Sequence, residues 1–296
     1  MKKIPENYIN QIQELLQVRG WTQEELAHEL GVTFAALSRW LHGHSVPHRQ
    51  RQEAIAGLHR QWVGLKPVDA KKYRAILKKS GRFKKKKLYS LLEKNEDLVL
   101  ELMIGFSYHS NTMEGTTLTF RETEALVRDA IMAKARPFKD NLVISNHAAI
   151  LRDILSGKYL LPLTEKIVKE IHFRLFQGVR NDAGEYSAHQ RGITGLNIRL
   201  PHPDDVPEEM ARFIKRAAQI PKGVLPIEKI ASDHADFELI HPFGDGNGRV
   251  GRLMMAIQFL HHGYPPTIIE NERKAEYYEV LEVAQRRNIQ HLALFL

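Results

Sequence analysis

Cysteine is absent from all 296 residues. That excludes a disulfide framework, a thiol nucleophile and any cysteine-held metal, and it suits a reducing compartment. Long apolar runs are missing as well. The stretch from Leu98 to Phe106 is interrupted by Glu101 and reaches half the length of a membrane span. The two lysines near the N-terminus are followed by no apolar segment of signal-peptide type. A soluble, cytoplasmic protein without a membrane partner is expected, with export into another cell left open. Strand patterning is scarce too: the candidate is Gln190 to Leu200, where Gly192 and Gly195 mark a hairpin-like turn.

What the chain does contain is helical spacing. Apolar residues make up 43 % of it, enough for a sizeable core. Helical patterns are expected at 96–109, 121–134, 140–156, 164–178, 206–219, 227–240, 249–262 and 273–287. The fold class is therefore all-α with one small hairpin. The net charge of +8 is unevenly placed, since residues 1–94 hold 19 basic and 8 acidic residues while the rest holds 24 and 27. A basic block on a near-neutral chain implies a polyanion partner for that block, or else simply a basic solvated surface. Three segments follow: a short-helix domain at 1–65, a lysine-rich helical connector at 66–95 and a long helical domain at 96–296.

In the first segment, Thr22 and Glu25 fit a capping box, Leu26, Ala27 and Leu30 form an inward face, and Gly31 supplies a left-handed turn. Thr33 caps a second helix whose Leu37, Trp40 and Leu41 point inward, leaving Phe34, Ala35, Ser38 and Arg39 outward. Residues 8–60 thus resemble a Cro/repressor-type helix-turn-helix. The resemblance implies double-stranded DNA as a partner, with Thr33, Ala35, Ala36, Ser38 and Arg39 facing bases. It also places Gln23 near the backbone, and Arg49, Arg51 and the connector lysines near phosphates. Two half-sites one helical turn apart would call for a homodimer. A helical domain that binds protein is the competing reading.

The most informative stretch is His241-Pro242-Phe243-Gly244-Asp245-Gly246-Asn247-Gly248-Arg249-Val250-Gly251-Arg252. A helix ends at Pro242, a glycine-rich loop follows, and an apolar helix runs from Val250 to Leu260. Glycine amides at a helix N-terminus cradle anions. Arg249 and Arg252, three apart, point back at the same anion. Asp245 offers an oxygen ligand for a divalent cation bridging phosphates, and His241 stands where it can transfer a proton. A calcium loop is excluded because Arg249 occupies a ligand position. A zinc pair of His241 with His234 lacks a third ligand, and His234 is expected to be a packed, hydrogen-bonded residue. His261 and His262 close the following helix, where imidazolium suits the helix dipole.

This run resembles the Fic/Doc motif at every defined position, and the resemblance extends over roughly 96–296. It implies a Fic-type helical bundle with a hairpin flap and an enzyme that moves AMP from ATP to a Ser, Thr or Tyr hydroxyl of a protein. His241 would be the general base and Asp245 would hold Mg²⁺. Gly246, Asn247, Gly248 and Arg249 would cradle phosphates, and Arg252 would take the γ-phosphate. Ser110-Asn111-Thr112-Met113-Glu114-Gly115 resembles the family's inhibitory motif, in which Glu114 would pair with Arg252. Tyr278 and Gln285 align with nucleoside-pocket positions, although an Asn is familiar at the latter. Ile193, Leu196 and Ile198 would be apolar grips of the flap or part of the core. The same Glu114 would also orient a water for AMP removal. A non-enzymatic alternative is a DNA-binding transcription regulator that uses this domain for nucleotide sensing or dimerisation.

Overall fold

The computed structural model describes residues 7–65, 68–80, 83, 85–159, 161–192 and 200–296. Contacts divide the chain into two compact units, Met1–Val68 and Asp69–Leu296. The first holds α1 (Asn7–Arg19), α2 (Gln23–Glu29), α3 (Phe34–Leu41) and α4 (Arg49–Trp62). Thr22 caps α2 as its sequence requires: its hydroxyl accepts from the Glu25 N–H at 3.2 Å, and the Glu25 carboxylate accepts from the Thr22 N–H at 2.8 Å. Such caps contribute roughly 0.5–2 kcal/mol. Gly31, at φ +60, makes the turn. Tyr8, Ile12, Leu15, Leu26, Leu37, Trp40 and Ile55 then close one small core. Arg51, expected at phosphates, instead donates to the Leu30 carbonyl at 2.7 Å, satisfying the end of α2.

The second unit begins with α5 (Ala70–Lys79) and α6 (Lys85–Glu93), followed by α7 (Glu96–Met113), α8 (Phe120–Asp129), α9 (Phe138–Leu155) and α10 (Glu165–Phe176). Next come α11 (Val206–Ala217), α12 (Pro226–Ile240), α13 (Asn247–His261), α14 (Lys274–Gln285) and α15 (Gln290–Phe295). The lysine-rich segment read as a connector lies in this unit: Tyr73 and Leu77 are buried, and Leu88 and Leu92 belong to its main core. Lys71, Lys72, Lys78, Lys79, Lys86 and Lys87 are exposed, as an amphipathic helix docked on one face requires, and Ile76 and Leu91 of the apolar set are exposed with them. At the centre runs α13, buried on every side, with Val250, Leu253, Met254, Ala256, Ile257 and Leu260 among its buried residues. It packs against α6, α7, α9, α10 and α12, and each large aliphatic side chain so buried contributes ~1.5–3 kcal/mol.

Three expectations are corrected here. Helix 121–134 ends at Asp129: Ala130 turns left-handed, Ile131 and Met132 find nothing to pack on, and Asn141 binds both the N–H and the carbonyl of Ala133. The helix expected from Val250 starts at Asn247, because Gly246 at φ +80 is its N-cap. His261 is not the imidazolium that the dipole would favour. Burial and the neighbouring Lys85 push its pKa down, and Lys85 Nζ lies 3.0 Å from His261 Nδ1. Among the described residues there is no strand. Most of the expected hairpin, with Ile193, Leu196 and Ile198, falls outside the described residues.

Candidate active site

The loop that joins α12 to α13 is fixed from within. His241 closes α12 in a left-handed conformation, φ +51. Asn247 is buried: its amide oxygen accepts from the Phe243 N–H at 2.9 Å and its amide nitrogen donates to the Phe243 carbonyl at 2.8 Å. The Asn247 side chain therefore ties the loop rather than lining a phosphate cradle. Behind the loop, His172 stacks flat on Phe243, the rings 3.8 Å apart and 3° from parallel. Its Nδ1 accepts from the Gly184 N–H at 2.8 Å, which leaves Nε2–H to donate to the Asp245 carbonyl at 3.1 Å. Burial lowers the His172 pKa to about 4, so this tautomer persists at neutral pH. Nothing in the spacing of the sequence marks His172, which lies 73 residues before Asp245.

A glycine N-cap brings no side chain, so the first-turn amides of Asn247, Gly248 and Arg249 have no side-chain acceptor. They present the positive end of the helix to the loop mouth. Glu114, at the C-cap of α7, fills part of that space. A Cβ on Gly248 would collide with the Glu114 carboxylate and come within 3.0 Å of Arg252 Nη1. Arg252 Nη2 donates to Glu114 Oε1 at 2.7 Å and to the Ser110 carbonyl at 2.9 Å, while its Nε donates to the Ser110 hydroxyl at 2.9 Å. Burial alone would raise the Glu114 pKa, but Arg252, with Arg249 and Lys274 behind it, brings it below the ordinary carboxylate value. The arginines do not share one target. Arg249, stacked over Phe176, donates to Asp245 Oδ1 at 2.9 Å.

His241, Glu114, Gly248 and Arg252 line a cavity of about 620 Å³ together with Tyr278, Gln285 and four residues that sequence reading had not selected: Glu238, Lys274, Tyr277 and Leu281. His241 Nδ1 faces the Glu238 carbonyl at 3.3 Å, which leaves Nε2 as the lone-pair nitrogen. Burial lowers the His241 pKa, so the ring is neutral and able to accept a proton. Gln285 is buried with both amide atoms unpartnered. His234 is the packed residue it was expected to be, 2.6 Å from the Tyr277 hydroxyl. Among the described residues, no cluster of three or more His, Asp or Glu could hold a metal by itself. Asp245 lies at the mouth, its side chain 49 % exposed and paired with Arg249. A single carboxylate beside a phosphate cradle suits Mg²⁺, which is commonly held by one or two carboxylates plus substrate phosphates.

The Fic/DOC family model matches residues 162–259, and a helix-turn-helix model matches 12–56. A Fic-domain-containing signaling protein from Bacteroides thetaiotaomicron is 30% identical, with a TM-score of 0.58 over 67% of this chain and 80% of that one. The chain belongs to the Fic/DOC family. Over 198 residues, or 64% of its length, it is 31% identical to the protein adenylyltransferase Fic of Drosophila willistoni and of Drosophila melanogaster. It spans only 38% and 39% of those relatives. Fic-1 of C. elegans, at 20% identity, shares the fold with a TM-score of 0.63 over 91% of this chain. Within the Fic/DOC frame, α12, the loop and α13 carry the matched motif. In the helix-turn-helix unit, Thr33 is exposed at the N-cap of α3, Ala35 and Arg39 are exposed on α3, Ala36 and Ser38 are half-buried there, and Gln23 is half-buried at the start of α2. No helix among the described residues is long and apolar enough to cross a membrane.

Proposed function

We propose that the second unit is a self-inhibited protein adenylyltransferase, transferring AMP from ATP to a Ser, Thr or Tyr hydroxyl of a protein. The observation that carries this reading is the shared cavity: a neutral imidazole with a free Nε2 opens onto the same space as an anion-seeking helix N-terminus, and Glu114 is seated in that space. The target hydroxyl oxygen attacks the α-phosphorus as its proton passes to His241 Nε2. The bond from that phosphorus to the β-phosphate bridging oxygen breaks, and pyrophosphate leaves. The first-turn amides of α13 and Arg249 hold phosphate oxygens. Asp245 is the residue that would hold Mg²⁺, which when bound offsets phosphate charge. Arg252 takes the γ-phosphate once Glu114 has left it. Tyr278 and Gln285 face the nucleoside, and Ser110 orients Arg252 for either partner.

The Glu114 carboxylate lies in the same cavity as His241, and that favours a second activity at this site, the hydrolytic removal of AMP from a modified hydroxyl. In this reading the first unit binds double-stranded DNA through α3, as a homodimer in the cytoplasm. The test incubates wild type, Glu114→Gly and His241→Ala with labelled ATP and Mg²⁺. Glu114→Gly should gain protein labelling, first on itself, because a misplacement near 1 Å of the attacked phosphorus costs ~10²-fold. His241→Ala should lose ~10²–10⁴-fold while still binding nucleotide. Labelling by His241→Ala equal to that of wild type would overturn the assignment of the base. Labelled target returned to wild type should release AMP, and Glu114→Gly should not release it.

A further inference from the structure

Glu238 is the one carboxyl of the cavity that the reading above leaves without a task. It sits on the last turn of α12, is 5 % exposed, and its Oε1 has no hydrogen-bond partner. Its setting is built for close contact: a Cβ on Gly251 of α13 would come within 2.5 Å of that Oε1 and 3.1 Å of the His234 ring. With glycine there, the carboxyl reaches the wall of the cavity without being displaced. A second unpartnered buried atom, Nη1 of Arg252, belongs to the same wall. A carboxylate and a polyphosphate repel at short range where water is excluded, whereas a carboxylic acid can donate to a phosphate oxygen.

We infer that Glu238 is a recognition residue of the nucleotide pocket, a buried carboxylic acid whose O–H, beside Arg252 Nη1, donates to a phosphate oxygen of the bound nucleotide. This rests on the nucleotide reading of the cavity and adds to it a determinant outside the loop motif. Burial raises the Glu238 pKa to about 8, with Arg252 opposing the rise and Glu114 adding to it. The groups around it come from four elements: His234 and His241 on α12, Arg252 on α13, Glu114 on α7, and Lys274, Tyr277 and Tyr278 on α14. The two histidines are shifted down by burial, as Glu114 is by Arg252, and Tyr277 and Tyr278 are shifted up. None of these shifts brings a group into the interval just around pH 8. A buried acid whose proton is lost there turns from donor to repeller.

The test uses the full chain and measures the affinity of a non-hydrolysable ATP analogue, and separately of adenosine, from about pH 6.5 to 9.5. Wild-type affinity for the analogue should fall as pH rises through about 8, approaching ~tenfold per pH unit, the slope of one linked proton. Glu238→Gln, which keeps a neutral donor, should be flat over the same interval. In Glu114→Gly the fall should begin at lower pH, since a like charge that helps keep the proton on Glu238 is gone. Adenosine should show no such fall. The inference is overturned if Glu238→Gln keeps the wild-type fall, or if adenosine shows it equally. Should Glu238→Gln fail to fold, the wild-type and Glu114→Gly profiles decide, and coincident profiles overturn it. No binding of the analogue by wild type at any pH overturns the nucleotide reading itself and this assignment with it, whereas binding without the pH effect overturns this assignment alone.

Discussion

Arg252 is buried on α13 and spends three hydrogen bonds on the end of α7, two on Ser110 and one on Glu114. Removing the guanidinium strands a mostly buried carboxylate and a carbonyl, and breaking such pairs costs ~3–5 kcal/mol. Because the Glu114 side chain keeps 23 % of its surface in water, the lower end is expected. Arg252→Ala should therefore lose about 3 kcal/mol in urea denaturation at neutral pH. The Glu114 pKa is lowered in the folded state, so the contribution of this pair is fully present above the unfolded carboxylate range. It is lost as pH falls through the folded value. The gap between wild type and Arg252→Ala should be full at neutral pH and shrink as acid protonates Glu114, first in the variant, where burial is no longer opposed by Arg252, and then in wild type. A gap that closes already near neutrality would mean that Glu114 is not held as an anion.

The joint between α12 and α13 is where element geometry sets the chemistry. Gly246 has φ +80, and a Cβ there would collide with the Phe176 ring of α10. Gly223 has a similar φ, +85, but open space around it. The pair separates backbone strain from overpacking. Gly223→Ala should cost only the left-handed penalty of ~1–2 kcal/mol. Gly246→Ala should add the ~1–3 kcal/mol of overpacking, and should weaken nucleotide binding because the first-turn amides of α13 shift with it. Equal melting temperatures for the two variants would show that Phe176 yields freely. His172 acts at the same joint: its ring and its single Nε2–H fix both Phe243 and the Asp245 carbonyl, so the loop is held by α10 as well as by its own helices.

At the scale of the whole molecule, each unit has a core of its own. Leu37 is fully buried in the small core of the first unit, which shares no residue with the large core built around α13. Leu37→Ala should cost ~2–5 kcal/mol in the first unit and abolish DNA binding, while labelling by Glu114→Gly in the same chain stays within twofold, roughly the scatter expected for distant independent sites. Loss of both would show that the units depend on each other. Duplex DNA affinity of the full chain should fall with salt, with a slope of about −0.9 per neutralised phosphate. Arg39→Ala should flatten the preference between DNA sequences more than it changes that slope, which competition binding at two salt concentrations measures.

The residues alone determined most of this protein. Helix periods placed α7, α9, α10, α11, α12 and α14 within a few residues of their observed bounds, because each carries a long apolar face that only a helix can bury. The run from His241 to Arg252 marked the glycine-rich loop because its residues are contiguous, while the pairing of Glu114 with Arg252 was legible only through the family resemblance. Tertiary structure decided what lies between distant segments. It brought Glu114 to the Gly248 backbone across more than a hundred residues, set His172 under the loop, and turned the Asn247 side chain back onto Phe243. It also buried Glu238 against the cavity wall, which raises its pKa. A carboxyl's neighbours and its access to water follow from packing, which no single stretch of sequence contains.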